Sequence, residues 1–444
     1  MPSSPGPTYG EILRHPSVPA FLTAGALQFA APSTALVILI FAIPRAYQAA
    51  GHTGEGALAL ALLGLASALP TLGGAFFAGP LADRHDRHLL LRVANVLSIV
   101  ATAGLAVDLF ARPGGTVPVP FAPRFYLPSW VALALPAWAL LIASATVFRP
   151  AFNASIPHLV PTSELGRANG LIYSSAATTS AVAALGVGLL LSVGPVVDAL
   201  AVPFALFFGT QVALAGVRVD LNALPPRKVH RIWTDVVEGF RYLYGRRDIF
   251  EMTVAALVVN LLVAVAFVEL GLYVLLWLGL ASGFWYGAMV AASTAGSAVG
   301  LLAIAHARFE HRAGRVLIVL VLAMGFAVLA LALVRSVWLA LPIIFVYGLL
   351  PGMVQTVFLS SVQATVPDEI LGRVFAADEV GSYALVPLGQ ASGGALTFEI
   401  GVQGTYLVAG GSIVGLGVVM AGGFGALRTL SFEPRRAAVA TAPD

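Results

Sequence analysis

Cysteine is absent from the 444 residues, so disulfides and thiolate metal sites are excluded. Lysine is almost absent too: Lys228 is the single lysine among 24 basic residues, and no glycine-rich turn precedes it. The usual phosphate-binding loop is therefore missing, and ATP-driven work within this chain is disfavoured. Charge of either sign is scarce. Charged residues make up 10% of the chain, against roughly 25% in a soluble protein. Too few polar side chains exist to cover the surfaces of a soluble chain of this length. His85 and His88 share a helical spacing, but no carboxylate or thiolate set completes a metal site, and no cofactor is expected.

What is present is apolar, 59% of the residues, and it is organised in long runs. A helix needs about 20 apolar residues to cross a bilayer. That ruler gives twelve segments, at 18–44, 56–80, 88–111, 129–156, 168–192, 195–217, 249–272, 282–305, 314–335, 337–361, 374–398 and 402–427. The runs are continuous and do not alternate, so helices are favoured over a barrel. The first run is too long for a signal-peptide core and reads as an uncleaved first span. Alternate loops are basic: nineteen of the 24 basic residues fall on the side of both termini, and only Arg45, Arg112, Arg124 and Arg335 on the other. This bias places both termini in the cytoplasm.

Two segments stand apart. Residues 112–128 form a proline-rich loop on the outer side. Within the connection 218–247, Ile232, Trp233, Val236, Val237, Phe240, Leu243 and Tyr244 recur at helical spacing, which predicts an amphipathic helix on the inner membrane face. The connection divides the chain into a first six-span half, 1–217, and a second, 248–444. The halves carry an internal repeat: Ser155, Val160-Pro161, Leu165-Gly166-Arg167 and Gly188 recur 206 positions later as Ser361, Val366-Pro367, Leu371-Gly372-Arg373 and Gly394. Repeated sets of spans are a common plan of secondary transporters, with the solute path between them.

Between spans two and three lies Gly79-Pro80-Leu81-Ala82-Asp83-Arg84-His85-Asp86-Arg87-His88. Glycine permits close helix approach, and an acid beside arginines in a short turn suits either a gate or a topology anchor. The stretch resembles the loop 2–3 motif of the major facilitator superfamily, with Gly79, Leu81, Asp83, Arg84 and Arg87 matching. Asp86 stands where the family prefers glycine, and His88 where it prefers a basic residue. Pro150-Ala151, Ile156-Pro157-His158-Leu159-Val160-Pro161, Arg167-Ala168-Asn169-Gly170, Val366-Pro367-Asp368-Glu369, Leu371-Gly372-Arg373-Val374, Pro387-Leu388-Gly389 and Gly393-Gly394 are similar to the branch with macrolide and siderophore exporters. The resemblance implies an all-α membrane protein of twelve helices in two pseudo-symmetric halves, working by alternating access and exporting its solute. It assigns gating to Gly79, Asp83, Arg84, Arg87 and Arg373. The chain also departs from that branch. Leu27 to Leu36 offers only Gln28, Ser33 and Thr34 where an acid is common, and the Gly-Pro pair of antiporters is missing at Ala183-Ala184. Both weigh against proton antiport.

Ionisable groups inside a membrane are costly and mark function by default. The acids fall near span ends: Asp108, Asp198, Glu269 and Glu399 outside, Glu251, Asp378 and Glu379 inside. Glu269, Asp378 and Glu379 are the candidates for coupling to protons; an extension of span seven would bury Glu269. Arg149 lies inside span four with no acid near it in sequence, and reads either as snorkelling to the surface or as a cavity arginine. Gln28, Ser175, Asn260, Tyr347 and Tyr383 are mid-span polar residues, each either a helix–helix hydrogen bond or a cavity ligand. Pro351-Gly352 and Pro387 are expected to interrupt spans ten and eleven. Gly296-x-x-x-Gly300 and Gly389-x-x-x-Gly393 are expected as packing features. The reading is a monomeric, proton-coupled or uncoupled exporter of the inner membrane for a small lipophilic or amphipathic solute, with no nucleic-acid partner. An importer or facilitator would share the fold. A membrane enzyme or sensor is disfavoured, because no nucleophile–base set shares one membrane depth.

Overall fold

A computed structural model describes residues 13–14, 17–111, 114–119, 122–160, 165–222, 232–305, 310–367, 370, 374 and 385–431. The first six long helices are α1 (Val18–Ala49), α2 (Thr53–Arg84), α3 (Arg87–Ala111), α4 (Ser129–Ser155), α5 (Leu165–Val193) and α6 (Ala201–Ala215). After the short α7 (Ile232–Gly245) come α8 (Arg247–Val268), α9 (Gly283–Ala305), α10 (Ala313–Leu333), α11 (Val337–Thr365) and α12 (Val386–Gly423). Eleven described segments are long and apolar enough to cross a membrane. One of them, α12, holds two spans: Gly401 breaks it at φ 72° and ψ 171°, so that 386–400 and 402–423 are separate arms. The molecule is thus a multi-pass α-helical membrane protein of twelve spans in two six-helix halves. Lipid offers no hydrogen bonds, so each crossing segment must satisfy its own backbone, which only a helix does alone.

α7 coincides with the predicted amphipathic helix. The proline-rich loop holds more structure than expected: Thr116–Val119 (β1) pairs antiparallel with Ala122–Pro128 (β2), and Tyr47 at the end of α1 donates to Tyr126 O at 3.2 Å. Val119 and Leu127 are buried beneath this hairpin. Span seven runs further than expected. Its α-helix stops at Val268, and after Glu269 the chain continues as Leu270–Leu272 and a π-turn, Tyr273–Trp277. One expected break is absent, and the other falls at the edge of the described residues. α11 is unbroken across Pro351, and Pro387 lies in the first turn of α12. A proline in the first turn has no intrahelical partner to lose, and a mid-membrane proline is tolerated where neighbouring helices hold the helix in place.

Glycines set the packing. A Cβ on Gly296 or Gly300 of α9 would run into the backbone of α11 at Phe345 and Leu349, and one on Gly389 or Gly393 would meet Leu261 and Val265 of α8. Both expected packing motifs are therefore helix contacts inside the second half. The repeat has a local counterpart as well: Ser155 donates to Ala151 O and Ser361 to Val357 O, each at 2.7 Å and each fully buried.

One end of the bundle carries the short basic connections; we refer to it as the basic end and to the opposite one as the far end. Each half is fastened at the basic end by the segment following its sixth span. In the first half Arg87 N–H donates to Asn222 Oδ1 at 3.2 Å, and the Arg218 amide donates to Ser17 Oγ at 2.9 Å. In the second, Gly314 N–H donates to Leu430 O at 3.3 Å, and Glu251 accepts from Leu427 N–H at 2.8 Å and from Arg247 Nε at 3.0 Å. At the far end Trp277, Trp285 and Trp338 gather, with Arg335 over the Trp277 ring at 4.2 Å and Trp285 edge-on to Trp338. Aromatic rings collect at a membrane boundary because they are apolar with a polar tip.

Candidate functional site

Among the described residues the close contacts between the halves lie in the far part of the bundle. Phe41 of α1 stacks on Tyr286 of α9 at 6.3 Å. A Cβ on Gly271 would meet Ile40 of α1 at 2.7 Å. On α5 and α9, Gly188 and Gly287 are so close that a Cβ on either would lie 2.7–2.8 Å from the other's Cα. Gly394 of α12 lies against Ala57 and Ala61 of α2, and Gly64 of α2 against Gln390 of α12. Gly188 and Gly394 are the two repeat-related glycines, so the internal repeat coincides with the two crossings of the seam. Small residues let whole helices touch there without large side chains to disengage.

Toward the basic end the same helix faces lose their partners. Thr23 lies 18 residues before Phe41, and Tyr173 lies 18 residues before Leu191, which packs on Gly283. Eighteen residues are about five turns, so each pair shares a face. Phe41 and Leu191 are buried in the seam; Thr23 and Tyr173 are exposed. Ser33, two turns before Ile40 and on its face, is exposed as well. Among the described residues the halves therefore meet at the far end and part below it, leaving a cavity between α1 and α5 on one side and the described part of the second half on the other.

The wall of this cavity is aromatic at mid-depth. Phe29 of α1 sits edge-on to Phe148 and Phe152 of α4 and parallel to Tyr173 of α5, with centroids 6.3, 5.2 and 6.4 Å away. Arg149 follows Phe148 directly and is exposed, with no hydrogen bond or ion pair among the described residues. It occupies the sector of α4 between Phe152, which packs on α1, and Thr146, which packs on Gly74 of α2. Leu140, nine residues earlier and so about half a turn round, marks the opposite, exposed apolar side of α4. Arg149 thus points toward the cavity. Across from it, Asn260 lies eleven residues before Gly271, close to the face of α8 that meets α1, and is half-buried.

Three expected cavity residues lie elsewhere. Gln28 is buried in the sector between Gly25, against Phe152, and Leu27, against Gly209 of α6, so it points into its own half; its amide has no partner among the described residues. Ser175 is spent on Ile172 O at 2.9 Å and shares the face of Val182, which lines a groove against α6 on the outside of the bundle. Tyr347 is buried inside the second half. Spacing alone places a residue on a helix but does not say which neighbour that face meets.

Tyr347 belongs to a second cluster. Glu269 is fully buried, with Thr397, Tyr406 and Tyr273 about it; Tyr406 lies within electrostatic reach of Glu269, Tyr273, Tyr347 and Tyr286. The Thr397 hydroxyl is engaged with Thr405 at 2.9 Å. Both Glu269 oxygens and the Tyr347 hydroxyl are left without a partner among the described residues. Glu269 faces away from α1, because it lies two residues from Gly271 on a helix. It points into the interior of the second half and not into the cavity. Asp108 lies at the end of span three as expected, in the last turn of α3, yet its burial was not foreseen: it is 6% exposed, with both oxygens unpartnered among the described residues.

Arg87 is bound within its own half, donating to Ala154 O and Leu221 O at 3.0 Å each. Asp86, the residue unlike the family motif, caps α3 through Leu89 N–H at 2.7 Å and accepts from Asn222 at 3.1 Å. The carboxylate at a helix start is favoured by the dipole as well as by the bond. Gly79, Asp83 and Arg84 lie in the last turns of α2, and their side chains fall outside the described residues. Arg373, Asp378, Glu379 and Tyr383 fall outside them altogether.

Two six-helix halves, crossed by pairs of close-packed helices and parted at one end, define a membrane transporter. The family model of the Major Facilitator Superfamily matches residues 21–389, and the chain belongs to that family. The multidrug efflux pump Tap of Mycobacterium tuberculosis and of Mycobacterium bovis is 24% identical over 431 residues, covering 94% of this chain and 96% of that one. Among solved structures, a D-xylose-proton symporter is similar at TM-score 0.67 and 16% identity over 94% and 99% of the two chains. A POT peptide transporter reaches TM-score 0.71 at 13% identity over 95% and 97%.

Proposed function

We propose that this protein exports a small lipophilic or amphipathic solute from the cytoplasm by alternating access. The observation that carries the reading is the cavity closed at the far end and open toward the basic end. In this reading the basic end faces the cytoplasm, both termini lie there, and the protein works as a monomer in the inner membrane. Residues 1–217 and 248–444 rock as units, linked by 218–247. The fastenings at the basic end support this, since they tie each half to itself. Asp83, Arg84 and Arg373, with Gly79 and the clamp of Arg87, form the gate that closes the basic end in the opposite state. The kinship with Tap supports outward transport. Reporter fusions at positions 118 and 226 are expected to report the outside and the cytoplasm respectively; both on one side would overturn the orientation.

Coupling to protons is assigned to Glu269, the fully buried acid among the described residues, with Asp378 and Glu379 as the other candidates. Its neighbours Thr397, Thr405 and Tyr406 belong to the arms of α12, one of which crosses the seam at Gly394. Rocking would therefore change the surroundings of Glu269 although it does not face the cavity. In proteoliposomes, wild-type flux is expected to run toward the far side and to fall when the pH gradient is collapsed. Glu269→Gln is expected to remove that dependence. Flux that ignores the gradient makes the protein a facilitator, flux in the opposite direction makes it an importer, and coupling that survives replacement of all three acids places the proton elsewhere.

A further inference from the structure

We propose that the cavity selects planar aromatic solutes that carry an anionic group, with the ring laid on Phe29 and Tyr173 and the anion paired with Arg149. The inference rests on the transport reading above and names the solute class of the same cavity.

Three observations converge. Arg149 is an exposed guanidinium with no partner among the described residues, aimed into the cavity from the sector between α1 and α2. The described acids of the spans are engaged, turned away or, as with the exposed Asp198 and Glu399, at the far end. Glu251 is held by Arg247 and Leu427 N–H, and Asp248 by Arg246 at 2.8 Å. Glu269 and Asp108 are buried inside their own halves. A cation with no partner among the described residues becomes costly once the cavity closes around it and sheds its water, and an anion carried in with it relieves that cost. The planar guanidinium of Arg149 can donate two parallel hydrogen bonds to a carboxylate, sulfonate or phosphate.

The second element is the aromatic wall at the same depth. Phe29 touches the rings of Phe148 and Phe152, the residues that flank Arg149 on α4, so ring and charge lie at one level. Tyr173 is 40% exposed beside Phe29 and parallel to it within 10°. Parallel, half-exposed rings offer an edge and a face to a planar guest. Third, the opposite wall carries Asn260, a polar side chain without charge. The described wall therefore has one net sign. A lipophilic cation finds the rings but meets Arg149 as a like charge; an aromatic anion gains both.

The test uses two dyes with the same xanthene core, anionic fluorescein and cationic rhodamine 123, and the full-length protein in nanodiscs. Fluorescence anisotropy is expected to show fluorescein bound at least about tenfold more tightly, as a charge-assisted contact implies. Arg149→Gln is expected to erase that preference and Arg149→Lys to retain part of it. Phe29→Ala and Tyr173→Ala are expected to weaken both dyes alike. Size-exclusion profiles confirm that each variant is folded. Equal or tighter binding of rhodamine 123 by the wild type, binding of neither dye, or unchanged fluorescein affinity in folded Arg149→Gln overturns the proposal. Flux in proteoliposomes separates the two levels. Rhodamine 123 moved outward without fluorescein binding overturns the anion assignment and leaves export standing. Fluorescein bound through Arg149 with no directional flux supports the anion site and overturns export.

Discussion

A chain carrying Phe41→Cys and Tyr286→Cys is expected to stop transporting when a short bis-methanethiosulfonate reagent joins the two thiols, and to resume when a reductant releases them. The two rings stack across the seam at 6.3 Å, one on each half. Alternating access requires this contact to part whenever the far end opens. A covalent link across it removes the second conformation altogether, so flux falls to background and not by a fraction. The chain has no cysteine of its own, so the introduced pair is the only thiol target and no background substitutions are needed. Each single cysteine variant, treated alike, keeps its flux. Undiminished flux at complete cross-linking would show that the far-end seam does not open during transport.

Replacing Gly287 by Leu is expected to open the far end while leaving the protein folded. A Cβ there would lie 2.5 Å from Ala184 O and 2.7 Å from Gly188 Cα, and these atoms belong to the other half. Overpacking of this kind costs about 1–3 kcal/mol. Here the halves can relieve it by separating, which shifts the balance of the two states about 5- to 150-fold. A single Phe41→Cys reporter then reacts faster with a membrane-impermeant maleimide from the far side. Gly348→Leu provides the contrast. Its Cβ would run into the Ser293 backbone of α9, inside the second half. No rocking relieves that clash, so the expected result is loss of folded protein and a lower Tm without a gain in reporter reactivity. Equal loss of Tm in both variants, with the reporter unchanged, would mean that the seam is part of a rigid core.

Much of the architecture was legible because lipid enforces it. Continuous apolar runs, a basic bias on alternate loops and the 206-residue repeat were enough for twelve helices in two halves. The repeat even marked Gly188 and Gly394, although nothing in the sequence said that these two glycines would face the opposite half. Boundaries were less legible. Glu269 reads as an end-of-span acid if span seven stops near 272, and as a buried one once the chain runs on through a π-turn to Trp277. Mid-span prolines likewise read as breaks, but α11 carries Pro342 and Pro351 without one.

The sequence by itself determined that the chain crosses a membrane repeatedly, that its two halves are related, and that Arg149 is an anomalous charge within a span. Those properties follow from composition and period, which the bilayer converts directly into helices. It did not determine which way a polar side chain points. Gln28, Ser175 and Tyr347 sit at mid-span as surely as Arg149 does, yet only Arg149 turns toward the cavity. A helix in a bundle has neighbours on several sides, and whether one of its faces meets its own half, the other half or lipid is set by the packing of the remaining helices. Only the tertiary structure fixes that packing, through the close approaches at Gly188, Gly271, Gly287 and Gly394 that decide where the halves touch and where they part.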